Sequence, residues 1–375
     1  VTALDTAAAT ASATASATAP RRRRAAFHAL RVTEVERLCR DAAAISFEVP
    51  DELADDYAFR PGQFLTVRRV VDGREERRSY SICAPAGAAP RIGVREIPGG
   101  TLSSWLVHQV RPGDMVDVLP PSGGFTPDLR RPAHHALIAA GSGITPVLSI
   151  TASALRDPAS RVSLLYGNRG SDTVMFADEL ADLKDAHPER FELVHVLSRE
   201  PREAELFSGR LDAPRLRTLL PLLLPVGSVD HWWLCGPYGM VTDARSVLAD
   251  LGVPDGRVHQ ELFHVDDVPP APVRRPEQPQ TSGPAAEVTI TLDGRATTVT
   301  QPRDVPVLDA AQRVRPDLPF ACKGGVCGTC RARVVSGEVD MRRNFALEPA
   351  ELAAGFVLTC QSTPATAQVE LDFDT

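Results

Sequence analysis

At 375 residues, with 43% apolar side chains, the chain is too long for one ordinary hydrophobic core and suits about two or three packed domains. No run of about 18 apolar residues occurs, which excludes an ordinary membrane-spanning helix. The net charge of -7 argues against a nucleic-acid binder, which would normally carry a basic face.

The first element is an Ala/Thr/Ser tract at residues 6–19, followed by the basic run Arg21-Arg-Arg-Arg24. Its composition reads as a disordered tail over residues 1–25. No apolar stretch follows that would make it an export signal. Seven cysteines without such a signal suggest a reducing cytoplasm.

Residues 26–130 show short β-rich runs punctuated by Arg60-Pro-Gly-Gln-Phe64, Arg111-Pro-Gly-Asp114 and Pro121-Ser-Gly-Gly-Phe125. That pattern predicts a small antiparallel barrel. Within it stands Arg77-Arg-Ser-Tyr-Ser-Ile82. On an extended strand Arg78 and Tyr80 share one face and Ser81 takes the other. A tyrosine can pack on a flavin ring while a guanidinium clamps phosphate; taken alone, the tetrapeptide is equally at home on an exposed edge strand.

Over residues 131–265 apolar strands alternate with helical stretches, at 136–140, 162–166, 193–197 and 231–234, which predicts a parallel sheet with crossover helices. The segment His135-Ala-Leu-Ile-Ala-Ala-Gly-Ser-Gly-Ile-Thr-Pro146 runs from a buried strand through a glycine turn into a helix. Gly141 and Gly143 would let a dinucleotide pyrophosphate approach the backbone at the helix N-terminus, with Pro146 in the first turn. The pattern is G-x-G-x-x-P rather than G-x-G-x-x-G, and many α/β strand ends carry such turns. Arg169 and Arg199 could reach a 2′-phosphate, which favours NADPH over NADH; the alternative reading is that either arginine is simply solvated. His134 and His135 open a strand and read as surface or capping residues; Cys39 and Cys83 read as ordinary buried thiols.

Residues 266–286 are dense in proline and have no apolar period, so they read as a semi-rigid spacer. Beyond them, residues 287–375 form a separate module. Val288, Ile290 and Leu292 alternate with threonines ahead of Asp293-Gly294, a hairpin by pattern and turn chemistry. Residues 307–314 suggest a short helix. Then comes Phe320-Ala-Cys-Lys-Gly-Gly-Val-Cys-Gly-Thr-Cys330, with Cys360 further on. The spacing C-x4-C-x2-C with a distant fourth cysteine is the plant-type arrangement for a 2Fe-2S cluster, its ligands Cys322, Cys327, Cys330 and Cys360. Gly324, Gly325 and Gly328 permit the sharp loop that turns three sulfurs inward. A zinc site, a disulfide framework and inert buried cysteines are the competing readings.

R-x-Y-S, then G-S-G-I-T-P, then Cys235-Gly-Pro237 after a strand, is the order found in the ferredoxin-NADP reductase superfamily. With a C-terminal ferredoxin module the whole resembles oxygenase reductases, and most of all the reductase subunits of ring-1,2-phenylacetyl-CoA epoxidases, which are multicomponent di-iron monooxygenases. The segments that carry the likeness are Arg78-Ser-Tyr-Ser-Ile-Cys83, Ala139-Ala-Gly-Ser-Gly-Ile-Thr-Pro146, Tyr166-Gly-Asn-Arg169, Ala321-Cys-Lys-Gly-Gly-Val-Cys327 and residues 347–361.

The resemblance implies a flavin-binding β-barrel, an α/β nicotinamide-dinucleotide domain and an α+β ferredoxin domain of β-grasp type. It implies that Arg78, Tyr80 and Ser81 hold FAD, although R-x-Y-S alone leaves FMN open, and that Gly100, Thr101, Leu102 and Ser103 receive its pyrophosphate. Gly141, Ser142, Gly143, Thr145 and Pro146 would bind NAD(P)H, with Cys235, Gly236 and Pro237 beside the nicotinamide. Glu261 and Phe263 match a position near the flavin, so that Tyr80, Ser81, Cys235 and Glu261 surround the reacting centre. The expected activity carries electrons from NAD(P)H through FAD and the cluster to a di-iron oxygenase in phenylacetate breakdown. A Rieske-type oxygenase, such as a 3-ketosteroid 9α-hydroxylase, is the alternative partner; a non-catalytic iron-sulfur carrier or sensor is the reading from another class. Di-iron sites take paired Glu-x-x-His motifs from helices; the chain is read as having no such pair, so the oxygen-activating centre is expected on another protein.

Overall fold

The computed structural model describes residues 26–71, 73–263, 285–347 and 349–375. The N-terminal tail with its arginine run, and most of the proline-rich spacer, lie outside the described residues.

In chain order the first body contains β1 (His28–Cys39), β2 (Ala42–Glu48), β3 (Phe64–Val71), β4 (Arg74–Ser81), β5 (Arg91–Arg95), α1 (Thr101–His108) and β6 (Met115–Val118). The strands form an antiparallel sheet in the order β4-β3-β6-β1-β2-β5. A bridge between Ile82 and Ile92 joins its two edges and closes it into a barrel, which removes edges that would otherwise invite pairing with other chains. Leu30, Ile45, Phe47, Leu65, Ile82 and Ile92 fill the interior, and α1 contributes Leu102 and Leu106.

The second body contains β7 (His134–Ala140), α2 (Ile144–Ala154), β8 (Arg161–Asn168), α3 (Ala177–Ala186), β9 (Phe191–Leu197), α4 (Ala213–Leu223), β10 (His231–Cys235), α5 (Tyr238–Asp250) and β11 (Val258–Glu261). Its strands are all parallel, in the order β11-β10-β7-β8-β9. Helices cover both faces, so the central strands are continuous apolar runs rather than alternating ones. Trp232 and Trp233, neighbours on β10, enter separate cores on opposite faces. The chain reverses its direction of winding between β7 and β10, and the carboxyl ends of such strands form the ligand crevice of open α/β sheets.

The third body contains β12 (Ala285–Leu292), β13 (Arg295–Pro302), α6 (Val307–Ala311), β14 (Arg331–Ser336), β15 (Val339–Met341), α7 (Pro349–Ala353), β16 (Phe356–Leu358), β17 (Ser362–Pro364) and β18 (Gln368–Asp372). A mixed sheet β13-β12-β18-β14-β16 packs on α6, as a β-grasp domain does, with β15 and β17 paired beside it. Asp293 and Gly294 both adopt positive φ, as a two-residue type I′ hairpin turn requires. Among the described residues no helix is long and apolar enough to cross a membrane.

His135 corrects an expectation. It is fully buried rather than a surface or capping residue, and it stacks on His231 while accepting a hydrogen bond from Trp233 Nε1 at 3.2 Å. His259 stacks on Trp233 in turn, with ring centroids 4.2 Å apart. Burial lowers the pKa of both His135 and His259 to about 4. A neutral-favouring imidazole binds its proton in the unfolded chain first, so stability falls as pH drops from about 6.5 towards 4. For His135 the loss is on the order of 3 kcal/mol. Thermal unfolding between pH 7.5 and 4.5 should show this decline, and His259→Phe should flatten it in part.

Candidate functional site

The glycine turn after β7 sits at the crevice. Gly141 has φ +56, a conformation that favours glycine, and its carbonyl accepts from Tyr166 Oη at 3.1 Å. A Cβ on Gly143 would stand 2.1 Å from the carbonyl oxygen of Cys235, so only glycine lets the start of α2 meet the end of β10. Thr145 is buried and donates to Ser142 O at 2.9 Å, which fixes the turn. Cys235 pairs in register with Glu261 on β11. From the barrel, Ser81 Oγ donates to Glu261 Oε2 at 3.1 Å. Ser81, Cys235, Glu261 and the glycine turn, far apart in sequence, thus meet at one place.

The electrostatics of this meeting point are unusual. Burial pushes the Glu261 carboxyl up to about 8, partly offset by the Ser81 hydrogen bond. Burial, and then the Glu261 charge, push the Cys235 thiol well above its ordinary value. Both groups are therefore neutral near pH 7, and strongly shifted groups in a crevice mark functional sites.

The remaining flavin-motif residues are distributed around the barrel. Tyr80 packs partly buried against the barrel core, and burial raises its phenol pKa. The Arg78 guanidinium is partly exposed and donates to the carbonyl of Arg77 at 2.7 Å. In the stretch 100–103 the side chains divide. Leu102 is buried in the barrel core, and Ser103 Oγ is engaged by Ile97 N and Gly100 O, leaving Thr101 as the exposed side chain at the start of α1. Phe263 is exposed just after β11, and Pro237 just before α5.

Arg169 is engaged by Asp41 of the barrel at 3.2 Å, while Arg199 is exposed next to it. Arg95 lies against the Gly141 turn and also pairs with Asp41. Neither Asp41 nor Arg95 carries a motif that would have singled it out. Cys83 is buried as expected; Cys39 is only half-buried and donates to Asp41 at 3.2 Å. Glu-x-x-His spacing does occur, at Glu192/His195 and Glu261/His264. The first pair lies in strand β9, where residues three apart face opposite ways, and His264 lies outside the described residues.

In the third body the loop 320–330 turns back on itself through Lys323, Gly325 and Gly328, all at positive φ. All four of its expected ligands are free thiols. The four thiols interact with one another, most strongly within the pairs Cys322 with Cys327 and Cys330 with Cys360, and more weakly between the pairs. That division suits two irons with two thiolates each, as in a plant-type 2Fe-2S site. Hydrogen bonds from Cys327 and from the amides of Gly324, Val326 and Cys327 hold the Cys322 thiol below its ordinary value. Gln361 Nε2 braces the loop by donating to Lys323 O at 2.8 Å, and Thr359 Oγ1 donates to Cys330 O at 2.9 Å. The donor set fits a 2Fe-2S group held by all four sulfurs.

Known proteins agree with this architecture. The family model of the oxidoreductase FAD-binding domain matches residues 29–126, that of the oxidoreductase NAD-binding domain residues 137–246, and that of the 2Fe-2S iron-sulfur cluster binding domain residues 290–365. The chain is 43% identical to a 1,2-phenylacetyl-CoA epoxidase subunit of Escherichia coli (strain K12), over 93% of this chain and 98% of that protein. It is 34% identical to the ferredoxin reductase component of 3-ketosteroid-9-alpha-monooxygenase of Rhodococcus rhodochrous, over 92% and 96%. Phthalate dioxygenase reductase shares the fold, with a TM-score of 0.57 at 24% identity over 92% of this chain and 98% of that one. Fold and site define an oxidoreductase that binds FAD, NAD(P)H and a 2Fe-2S cluster and passes electrons to an oxygenase partner. The chain belongs to the family of 1,2-phenylacetyl-CoA epoxidase reductase components.

The Glu261 carboxyl gives a direct test. Its folded pKa lies above the unfolded value, so its contribution to stability declines as pH rises from about 4.5 to about 8. Glu261→Gln should therefore raise the thermal midpoint at pH 8 but not at pH 4.5. It should also remove an inflection near pH 8 from the rate of flavin reduction by NAD(P)H. A midpoint difference unchanged across this range would contradict a buried neutral carboxyl.

Proposed function

We propose that this chain delivers electrons from NADPH to the di-iron oxygenase component of a phenylacetyl-CoA epoxidase in phenylacetate catabolism. The observation that carries the reading is 43% identity along nearly the whole of both chains, against 34–36% for ferredoxin reductase components of 3-ketosteroid-9-alpha-monooxygenases, which support the alternative partner. When bound, FAD converts the two-electron hydride chemistry of the nicotinamide into single electrons suited to a 2Fe-2S cluster.

Each part of the crevice has its own task. The amides around Gly141 and Gly143, at the positive end of α2, receive the nicotinamide-dinucleotide pyrophosphate. Cys235-Gly-Pro237 lines the nicotinamide side of the crevice, and a neutral Glu261 orients Ser81 without placing a buried charge beside it. Tyr80 packs against the flavin ring, Arg78 takes flavin phosphate, and Thr101 with the free amides of α1 receives the flavin pyrophosphate. Cys322, Cys327, Cys330 and Cys360 hold the cluster. Arg199, free of the carboxylate that engages Arg169, takes the 2′-phosphate of NADPH.

Arg199→Ala should lower kcat/KM for NADPH by about tenfold, as loss of a hydrogen bond to a charged group implies, and leave kcat/KM for NADH nearly unchanged. Cys327→Ser should abolish the cluster absorbance and paramagnetic signal while NAD(P)H-to-dye activity persists; loss of both would contradict separate modules. The partner assignment is tested by mixing the protein with purified phenylacetyl-CoA epoxidase oxygenase subunits. NADPH oxidation should then depend on phenylacetyl-CoA, and its absence, with dye reduction intact, turns the assignment towards a Rieske-type oxygenase.

A further inference from the structure

The ferredoxin module meets the other two bodies through a small set of apolar and aromatic side chains. Val326, inside the cluster loop, and Phe345 pack against the apolar cluster of the nucleotide domain. Phe345 meets Tyr238 edge to face, with centroids 5.8 Å apart. Phe320, two residues before Cys322, lies beneath the guanidinium of Arg77, 4.4 Å from its ring centroid.

Arg77 is an unusual strand residue because it is only 7% exposed. A buried guanidinium needs a paired carboxylate and covered faces. Glu75 supplies the carboxylate, with Oε1 2.5 Å from Arg77 Nε. Phe27 and Phe320 supply the rings, at 5.1 and 4.4 Å. Strand alternation turns Arg77 to the face of β4 opposite Arg78 and Tyr80, the face that also carries Ser81 four residues on; the Arg77 side chain itself is engaged by Glu75 and the two rings at the module boundary.

We propose that Arg77, stacked on Phe320, is the positioning residue that seats the cluster loop on the flavin barrel. The assignment rests on the reading that electrons pass from flavin to cluster. In each such event one electron leaves reduced flavin and one ferric iron becomes ferrous; no bond to carbon is made or broken, and NAD(P)H supplies the pair of electrons for two events. Groups that exchange electrons without contact do so at a rate set by how near they are held. Arg77 stands next in sequence to a flavin-motif arginine, and Phe320 stands two residues from a cluster cysteine. Their contact therefore fixes one redox site against the other.

The test uses the full-length holoprotein. Arg77→Ala should speed amide hydrogen exchange over residues 318–328 and slow flavin-to-cluster transfer in rapid mixing about tenfold, with NAD(P)H-to-dye reduction and the cluster's paramagnetic signal unchanged. Phe320→Leu should reproduce the effect and carry the test if Arg77→Ala does not fold. The double variant should lose nothing further, and Arg77→Lys, which keeps the cation, should recover part of the rate. Wild-type exchange and transfer in Arg77→Ala overturn the assignment, as does a parallel fall in dye reduction, which would place Arg77 in the flavin site. Absence of cluster reduction in the wild-type protein overturns the electron-transfer reading and this assignment with it.

Discussion

The site depends on a backbone approach that tolerates no side chain. Gly143 brings the start of α2 against the last carbonyl of β10, where any Cβ would collide with Cys235 O. A second close approach reinforces it: a Cβ on Gly93 of β5 would stand 2.2 Å from Thr145 Cγ2, so the barrel wall lies directly on the first turn of α2. The first contact fixes the turn at the head of α2 within the sheet domain, and the second sets how closely the barrel lies on that turn. The large ring pair across the same boundary, Phe125 against Trp233 at 5.1 Å, fills the space behind it.

Once the two bodies are held this closely, Ser81 can reach Glu261 across 180 residues of sequence. The cost falls on the carboxyl, which burial keeps neutral. A charged carboxylate here would oppose binding of a nicotinamide cofactor, which already carries negative phosphates. A neutral one still accepts from Ser81. The neighbouring thiol of Cys235 is held neutral for the same reason, so the crevice floor presents polar atoms without net charge.

Much of this was legible in the sequence because the chemistry demands particular residues at short spacing. The cysteine loop, the Gly141–Gly143 turn and the Asp293-Gly294 hairpin each use local conformations open mainly to glycine, asparagine or aspartate. Strand β11 was not legible: its four residues show no alternation, because a short parallel strand at a sheet edge is defined by its partner rather than by its own pattern. Leu102 and Ser103 sit at the expected turn, yet their side chains hold the barrel core and the turn itself. His135 looked like a surface residue because polar strand openings usually are; a row of rings from three adjacent strands buries it. Pairs such as Asp41 with Arg169, 128 residues apart, carry no local signal at all.

The three bodies are joined with unequal strength. Barrel and nucleotide domain share one continuous apolar core, in which Ala42, Cys83 and Phe125 pack with Leu137, Ile144 and Trp233. Polar links add to it: Ser149 donates to Ala84 O at 2.6 Å, and Arg91 is pinned between Glu36 and Glu179. The ferredoxin module instead leans on the other two through a few apolar contacts, Val326 among them, and through aromatic and cation contacts each worth roughly 0.5–2 kcal/mol. The division follows from what each boundary must do. Hydride transfer between nicotinamide and flavin requires contact at a fixed geometry, which a shared core enforces. Electron transfer to the cluster needs nearness rather than contact, and a few local contacts such as Arg77 on Phe320 meet that weaker demand.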